Sequence, residues 1–505
     1  MTSTPLAGAT IVVRNPANDR VVGSVADSSS ETVADAIVAL RQHQPHWESI
    51  GPAGRSKVLR ALQDWILDNA AQLADVVQSE TGKVRAEAEL EVTAWVDLIS
   101  YWGRQAGRFL ADEHPAPHSP LGRIKKLTTR YRPYQVVGVI TPWNYPLGMG
   151  AMDIIPALMA GASVLHKPSE VTPLSAVEIA RGWAEVGGPP VFMVITGGAG
   201  AGAALVEGAD FLQFTGSTAT GRIVTRQRSE RFKPYSLELG GKDPAIVVAD
   251  ADLDRAAHGI AWGALLNAGQ TCVSIERVYV EAPVYDAFVA KLTERVEALR
   301  VGQDDREFRY DVGALANQQQ LEIVSRHVDE AVAAGARVLT GGKPTGVGTF
   351  FEPTVLVDVD HSMSCIREET FGPTIPVIKV ADEDEAVRLA NDSEYGLSAS
   401  IWTGDRQRGR RLAGRLDAGA VNINDSIANV FSFVLPMGGW KQSGVGSRWG
   451  GAAGIRKYCR QQAMTEPVVM AIPREVYWFP YSKAKFGFVF TLVRALSGRG
   501  RRRLR

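Results

Sequence analysis

The chain has 505 residues, of which 45% are hydrophobic and 22% are charged. This composition can bury several hydrophobic cores, which excludes a disordered protein, and the length predicts about three domains. Lysine plus arginine number 55 and aspartate plus glutamate number 55, so the formal net charge is zero. We therefore expect no nucleic-acid partner, because the chain as a whole has no excess of positive charge.

The three cysteines, Cys272, Cys365 and Cys459, are far apart in the sequence. An odd number without a Cys-x-x-Cys pair excludes a disulfide framework and a thiolate zinc cluster, and we predict no metal site. Residues 1–15 lack the charged leader and apolar core of a signal peptide, and no apolar run approaches the ~18 residues of a membrane span. These features predict a cytoplasmic globular protein.

Helical spacing dominates the first part of the chain. Apolar residues recur three and four positions apart from 30 to about 108, and a proline-rich connector follows at 113–121. Short apolar runs then alternate with helical segments, which predicts parallel βαβ units whose ligands bind beyond the carboxyl ends of the strands. The predicted strands are 136–140, 163–166, 191–195, 211–214 and 245–248, and the predicted helices are 152–160, 173–184, 201–207 and 221–227.

A second mixed region follows, and with the first it predicts the α/β class. Its predicted helices are 254–267, 283–299, 318–334 and 383–391. Its predicted strands are 278–280, 337–339, 354–357, 375–379 and 399–402.

The C-terminal segment combines an apolar stripe with a run of arginines. Phe486, Val489, Phe490 and Val493 have helical spacing. The arginines that follow, without an acidic residue, are Arg494, Arg499, Arg501, Arg502, Arg503 and Arg505. One interpretation is a packed C-terminal helix with a solvated end, and another is an interfacial helix on anionic lipid.

Three residues are candidates for chemistry, although each has a plain structural reading when taken alone. Cys272, in NAGQTC, is either a nucleophile held on a loop or a small buried hydrophobe. Glu238, flanked by two leucines, is either a desolvated base or a salt-bridged residue at a strand end. Asn144, in a loop that contains two prolines, either donates to an oxyanion or closes a turn.

Two segments that follow predicted strands are candidates for nucleotide binding. FTGSTATG at 214–221 opens a helix, so its backbone amides can face a phosphate, whereas 198–202 is only a partial dinucleotide fingerprint. KPSE at 167–170 offers Lys167 and Glu170 to ribose hydroxyls, or forms a solvated charge pair.

Taken together and in this order, the motifs resemble those of the aldehyde dehydrogenase superfamily. They are PWNYP at 142–146, KPSE at 167–170, FTGSTATG at 214–221, LELGGK at 237–242, NAGQTC at 267–272, ETFGP at 369–373 and PMGGWKQSGVG at 436–446. The resemblance covers about residues 14–458, and Cys272 follows Glu238 by 34 residues, as in the family. It implies a Rossmann-like NAD-binding domain, an α/β catalytic domain and a small β arm for oligomerisation.

By matching positions, the resemblance implies NAD-dependent, hydrolytic oxidation of a small-molecule aldehyde. Cys272 would attack the aldehyde carbon, the Asn144 amide and the Cys272 N–H would hold the oxyanion, and Glu238 would activate the water that releases the acid. The implied coenzyme contacts are Thr141, Pro142, Trp143, Lys167, Ser169, Glu170, Gly200, Gly216, Ser217, Thr218, Gly221, Leu239, Gln320, Glu369 and Phe371. Because the carboxylate of Glu170 would repel a 2′-phosphate, NAD is predicted over NADP, which is left open as a minor coenzyme.

The substrate pocket implied by the resemblance is apolar. Its residues are Tyr145, Met149, Met152, Thr271, Val273, Phe433 and Met437. Met152 stands where typical succinate-semialdehyde dehydrogenases carry an arginine, so an aliphatic or aromatic aldehyde is predicted. Residues 267–281 nevertheless look like a divergent group named succinate-semialdehyde dehydrogenase, which stays an alternative. Asp243 replaces the asparagine that is usual after GGK.

The resemblance also implies a domain division and an assembly. The NAD-binding domain is 1–117 with 134–240, the catalytic domain is 241–455, the arm is 118–133 with 456–472, and the basic amphipathic extension is 473–505. The arm predicts a homodimer or homotetramer, and the extension leaves peripheral membrane contact open. Two further alternatives are a CoA-acylating dehydrogenase, against which the presence of Glu238 argues, and a non-catalytic structural or membrane-binding protein.

Overall fold

Two mostly parallel sheets form from the short apolar runs that alternate with helical segments in the sequence. The computed structural model describes residues 9–118, 122–468, 474–475 and 477–497. The strands in these residues are β1 Thr10–Arg14, β2 Val21–Ala26, β3 Lys125–Pro133, β4 Val136–Ile140, β5 Ser163–Lys167, β6 Phe192–Val194, β7 Phe211–Thr215, β8 Tyr235–Glu238, β9 Asp243–Val247, β10 Ile275–Glu281, β11 Arg337–Thr340, β12 Thr354–Val357, β13 Thr374–Val380, β14 Tyr395–Gly396, β15 Ser398–Trp402, β16 Ala420–Ile423, β17 Pro436–Met437, β18 Trp440–Lys441, β19 Gly444–Val445, β20 Arg448–Trp449 and β21 Cys459–Pro467.

The helices cover these sheets, and each one predicted from the sequence is present with its ends shifted by a few residues. They are α1 Ser30–Ser49, α2 Gly51–Asp68, α3 Ala70–Thr81, α4 Arg85–Phe109, α5 Pro146–Ala160, α6 Leu174–Glu185, α7 Ala199–Gly208, α8 Thr218–Ser229, α9 Leu253–Leu265, α10 Tyr285–Glu297, α11 Gln318–Ala333, α12 Ser364–Arg367, α13 Glu383–Asn391, α14 Arg406–Ala413, α15 Ala452–Arg456 and α16 Lys483–Ser497. Helix α5 begins at Pro146, earlier than predicted, because a proline in the first turn needs no N–H partner.

The first sheet has the order β19-β8-β7-β4-β5-β6, in which β19 is antiparallel and the other strands are parallel. Strands β5 and β7 are buried along their whole length, as expected where helices cover both faces. Helices α1 and α7 pack on one face through Val33, Ile37 and Leu205, and α5 and α6 cover the other. The predicted α/β class is confirmed.

The second sheet has the order β11-β12-β13-β10-β9-β15-β16, with β11 antiparallel to β12 and the remaining pairs parallel. Apolar residues of α9 and α10 pack on one face, and those of α11 and α13 pack on the other. The carboxyl ends of β4, β5 and β7 and the segments that precede β10 and β13 border the same cavity. The two sheets therefore present opposite ends of their strands to one site.

A two-stranded ribbon corresponds to the predicted arm. Strands β3 and β21 pair antiparallel, from Cys459 opposite Pro133 to Pro467 opposite Lys125, and most of β21 is exposed. Residues 119–121 and 469–473, which also fall in the predicted arm and extension, lie outside the described residues. The domain boundaries stay a prediction.

Helix α16 forms in the C-terminal segment, and none of its residues is buried. The expectation of a packed C-terminal helix is therefore wrong for the part of the segment that the structure describes. Phe488 and Phe490 are 63% and 65% exposed. The arginines after 497 lie outside the described residues. Among the helices that are described, none combines the length and the hydrophobicity that crossing a bilayer would require.

Candidate active site

A cavity of about 770 Å³ lies at the carboxyl ends of the first sheet. Most of the predicted coenzyme residues line it, namely Thr141, Pro142, Trp143, Lys167, Ser169, Glu170, Gly216, Ser217, Leu239, Gln320, Glu369 and Phe371. Three others are close to it but are not part of its wall. Gly200 is in the first turn of α7, the Thr218 hydroxyl donates to the Gln442 carbonyl, and Gly221 packs against Leu239.

The first turn of α8 forms a cradle on this cavity. The Ser217 hydroxyl caps the helix by accepting from the Thr220 amide at 3.3 Å. A Cβ on Gly216 would stand 2.7 Å from the Phe214 ring, so a glycine is needed for this close turn. Free amides at a helix N-terminus attract phosphate, and a cavity of about 770 Å³ lies in the size range of cofactor sites. The residues present therefore fit a nicotinamide coenzyme.

Lys167 and Glu170 stand together on the wall of the cavity. The Lys167 Nζ lies 3.5 Å from Glu170 Oε2, with the lysine side chain buried and that of Glu170 half exposed. Burial lowers the pKa of Lys167, and the charge of Glu170 partly opposes this effect. The half-exposed carboxylate of Glu170 therefore remains accessible at the wall of the cavity.

Cys272 is held on a loop with unusual backbone geometry. Asn267 and Ala268 have φ values of 56° and 54°, and Gly269 follows at 75°. A left-handed alanine costs about 1–2 kcal/mol, so surrounding contacts must hold it. Glu87 accepts a hydrogen bond from the Asn267 amide at 2.6 Å, and the Asn267 side chain donates to the Gln270 carbonyl at 3.1 Å. The loop that carries the thiol is therefore rigidly fastened.

Asn144 faces this loop. Its side-chain Nδ2 donates to the Gln270 carbonyl at 2.8 Å, while its Oδ1 has no partner among the described residues. The Asn144 backbone carbonyl accepts from Lys83 Nζ at 2.8 Å and from Asn267 Nδ2 at 2.9 Å. The amide is thus fixed beside the loop that carries Cys272.

Glu238 ends β8 as a buried carboxyl group whose two oxygens have no hydrogen-bond partner among the described residues. Burial raises the pKa of Glu238 to about 7, against the charges of Arg448 and Lys457, which lower it. A carboxyl group with this pKa can take up and release a proton near neutral pH, as a general base must. The reading of Glu238 as a salt-bridged strand end is not supported by these contacts.

The Cys272 thiol lies where two cavities meet, because it lines both of them. Desolvation raises the pKa of Cys272 to about 12, Arg448 opposes this, and Glu238, Asp243 and Glu369 add to it. The thiol is half-buried, whereas Cys365 and Cys459 are buried. At this pKa the thiol keeps its proton at neutral pH, and the charge of Glu238 is one of those that favour the protonated form.

The second cavity measures about 120 Å³ and is lined mostly by apolar side chains. All the predicted substrate residues line it, namely Tyr145, Met149, Met152, Thr271, Val273, Phe433 and Met437. Leu90 and Phe431 stand at its mouth, both partly exposed. No lysine, arginine or histidine is among the described residues that line it, whereas Glu87, Glu91 and Asp97 are.

Glu369 and Asp243 are buried acids on the side of the second sheet. Glu369 accepts from the Gly241 amide at 3.0 Å, and burial raises the pKa of Glu369 to about 8. Burial also raises the pKa of Asp243 well above its ordinary value. Both acids therefore lie in surroundings that disfavour their charged forms.

Several residues of the site were not found from the sequence. Lys83 and Glu91 form a buried ion pair, and Glu91 also accepts from the Gly148 amide at 2.8 Å. Glu276 accepts from the amides of Thr370 and Phe371, and so holds the segment that carries Glu369. The signal for Glu91 was present, since it shares a helical face with buried apolar residues. Nothing near Glu276 in the sequence indicated its role.

The comparisons with known proteins agree with this geometry. The aldehyde dehydrogenase family matches residues 4–464. A Mycolicibacterium smegmatis protein with the provisional name of NADP+-dependent succinate-semialdehyde dehydrogenase is 41% identical over 456 residues, covering 89% of this chain and 87% of its own. A Methylomonas protein named 4,4'-diapolycopene aldehyde oxidase is 38% identical and covers 94% of this chain and 89% of its own.

Solved structures are similar over almost the whole chain. The Escherichia coli structure described as an NADP-dependent enzyme has 36% identity and a TM-score of 0.87, over 91% of this chain and 95% of its own. A Sinorhizobium meliloti NAD-dependent aldehyde dehydrogenase has 35% identity and a TM-score of 0.88, over 93% of each chain. The resemblance read from the motifs is confirmed: this chain belongs to the aldehyde dehydrogenase family and is an enzyme that oxidises aldehydes.

Proposed function

We propose that the protein oxidises aldehydes with an apolar chain to carboxylic acids through a covalent intermediate on Cys272, with NAD as the preferred coenzyme. The observation that carries the proposal is the position of Cys272, where a dinucleotide-sized cavity meets an apolar one. A nucleophile at that junction can hold the aldehyde carbon next to a coenzyme that enters from the other side.

The chain's own residues supply each step of this reaction. Glu238 takes the proton of the Cys272 thiol and passes it to solvent, and the thiolate adds to the aldehyde carbon. The Asn144 side-chain amide and the Cys272 N–H donate to the oxyanion that forms. A bound nicotinamide would accept the hydride that the former aldehyde carbon releases. A thioester would then remain on Cys272. Glu238 then takes a proton from water as the water attacks the thioester, and the acid leaves while the thiol is regenerated.

We predict that release of the acid depends on a base with the pKa of Glu238, about 7. The base form is lost as the pH falls, so kcat should fall about tenfold per pH unit below about 7. Glu238→Gln should remove this dependence, lower kcat about 100-fold or more, and leave a thioester on Cys272 that mass spectrometry detects.

The exposed Glu297→Gln variant, at the end of α10, is the matched control and should behave as the unchanged protein. A Glu238→Gln enzyme with the original pH profile would contradict the assignment. Faster turnover on addition of CoA would favour a CoA-acylating enzyme instead.

The side chains that line the smaller cavity support an apolar substrate. Met149, Met152 and Phe433 line it, and a carboxylate in this cavity would meet acids rather than bases. Lys83 and Arg448 contact lining residues from behind, but each is already paired with a buried acid, Glu91 or Asp153.

Succinate semialdehyde is the second candidate, and the names of the most similar relatives favour it over an apolar aldehyde. The Methylomonas relative is named for a different aldehyde. If succinate semialdehyde is the substrate, its carboxylate must draw Lys83 or Arg448 away from an acidic partner, or bind a cation outside the cavity.

We predict a higher kcat/KM for octanal than for succinate semialdehyde, measured by the absorbance of the reduced coenzyme. Met152→Arg should shift this ratio at least about tenfold toward succinate semialdehyde, because a cation then faces the substrate chain. Val38→Arg introduces the same side chain on an exposed part of α1 and should leave the ratio unchanged. A clear preference of the unchanged enzyme for succinate semialdehyde would establish the second candidate.

The preference for NAD is proposed from Glu170, although the relatives' names include both NADP- and NAD-dependent enzymes. Its carboxylate borders the larger cavity and would lie close to a 2′-phosphate if the adenine ribose binds at Lys167.

We expect kcat/KM to be higher with NAD than with NADP, and Glu170→Gln to raise kcat/KM for NADP about tenfold while changing that for NAD less. Glu230→Gln, beyond the opposite end of α8, is the control and should change neither. A native preference for NADP would overturn this part of the proposal.

We further propose that the β3–β21 ribbon joins subunits into a homodimer or homotetramer. The support is that β21 leaves one edge unpaired in the described residues, and an exposed strand edge is a template for pairing.

We also propose that the C-terminal extension contacts an anionic membrane surface. Between Lys485 and Arg494, helix α16 carries no charge, and its aromatic residues are exposed. From residue 476 to the end, the sequence has eight basic residues and no acid. Apolar side chains flanked by cations are the chemistry that anionic lipid surfaces bind.

We predict that the full chain sediments with vesicles of phosphatidylcholine and phosphatidylglycerol, and that replacing Phe486, Phe488 and Phe490 together with serine weakens binding at least about tenfold. Phe232→Ser removes a phenylalanine that is 97% exposed elsewhere and is the control. Equal sedimentation of a chain ending at Ala471 would contradict lipid binding. A change only in oligomeric mass on that truncation would show that a second subunit covers the helix.

A further inference from the structure

A fully buried ion pair lies behind the catalytic residues. Arg448 donates to both carboxylate oxygens of Asp153, at distances from 2.8 to 3.2 Å, and the two side chains are 0% and 1% exposed. Tyr458 also donates to Asp153 at 3.2 Å, and Lys457 Nζ lies 3.9 Å from it. Burying two charges is costly, so this pair is not explained by stability alone.

The Arg448 guanidinium contacts the walls that carry Glu238 and Cys272. It donates to the hydroxyl of Thr215, which pairs with Glu238 in the register of β7 and β8. It also lies 3.7 Å from the sulfur of Met149, a residue that lines both cavities as Cys272 does. A cation thus stands behind the junction without lining the smaller cavity.

Arg448 is a charged neighbour of both reacting groups, Glu238 and Cys272. Glu238 faces Arg448, Lys457 and Asp153. Cys272 faces Arg448, Glu238 and two further acids, Asp243 and Glu369. Neither oxygen of Glu238 has a hydrogen-bond partner among the described residues, so burial, which has the larger effect, and through-space charge together set its ionisation.

We propose that Arg448 is an electrostatic positioning residue, whose buried charge stabilises the thiolate of Cys272 and the carboxylate of Glu238, and that Asp153 holds it in place and limits its strength. The inference rests on the proposed function and names a regulator of the same site. In a buried site of low dielectric, one unit charge at this range changes ionisation equilibria by about tenfold.

Two substitutions that break the same ion pair should act in opposite directions. Arg448→Met removes the positive charge and leaves Asp153 with only the more distant Lys457 beside it, so alkylation of Cys272 by iodoacetamide at fixed pH should slow about threefold or more. Asp153→Asn leaves the positive charge without its counter-ion, so alkylation should accelerate about threefold. Arg448→Lys keeps the charge and should stay near the rate of the unchanged enzyme.

The alkylation rate is followed by mass spectrometry of the Cys272 peptide in the full chain, with circular dichroism as the test of folding. Asp210→Asn breaks an ion pair with Arg41 at the other end of β7 and is the control, with no expected change. Changes in the same direction for both variants, or no change, would overturn the proposal, since a merely structural pair gives that result.

If Arg448→Met does not fold, Asp153→Asn decides alone: faster alkylation supports the proposal, and equal or slower alkylation overturns it. Alkylation needs neither aldehyde nor coenzyme. Failure of aldehyde turnover would therefore count against the proposed function and leave this result unaffected.

Discussion

The backbone carbonyl of Asn144 is the point at which the two halves of the site are joined. It accepts one hydrogen bond from Lys83 and another from Asn267, so it ties the loop after β4 to the loop that carries Cys272. Glu91 pairs with Lys83 and also accepts from the first turn of α5. Because Lys83 and Glu91 are buried, this junction is a small charged core that holds Asn144 beside the loop of Cys272.

Around the junction, burial sets the protonation of the acids. Desolvation raises the pKa of Glu87 to about 7 and that of Glu369 to about 8, as it does for Glu238. These three carboxyl groups exchange protons near neutral pH, and none of them forms an ion pair with a cation in the described residues. Burial without a cation at ion-pair distance is therefore what raises their pKa values.

Much of the fold and of the site's outline could be predicted from the sequence, because both depend on patterns of residues that are close together in the chain. Alternating apolar runs predicted strands β4, β5 and β7. The order of the motifs identified Cys272, Glu238 and Asn144 as candidate catalytic residues. The substrate residues all line one cavity for the same reason.

Other features depend on contacts between residues that are far apart in the chain. Asp153 and Arg448 are separated by 295 positions, and no local pattern marks them as partners. The exposure of α16 could not be predicted either, since the same apolar spacing suits a packed helix and an exposed one. The left-handed backbone of Asn267, Ala268 and Gly269 could not be predicted either, because only Gly269 is of a residue type that favours it.

The two cavities touch only around Cys272 and Met149 and open on different parts of the surface. Glu170 and Ile223 are at the exposed rim of one, and Leu90 and Phe431 are at the exposed rim of the other. A coenzyme in the larger cavity and an aldehyde in the smaller one would therefore have separate routes to the thiol, and neither would have to leave for the other to be exchanged. A bulky tail on such an aldehyde would extend outward along the smaller cavity, so that cavity and not the coenzyme would limit the length of a substrate.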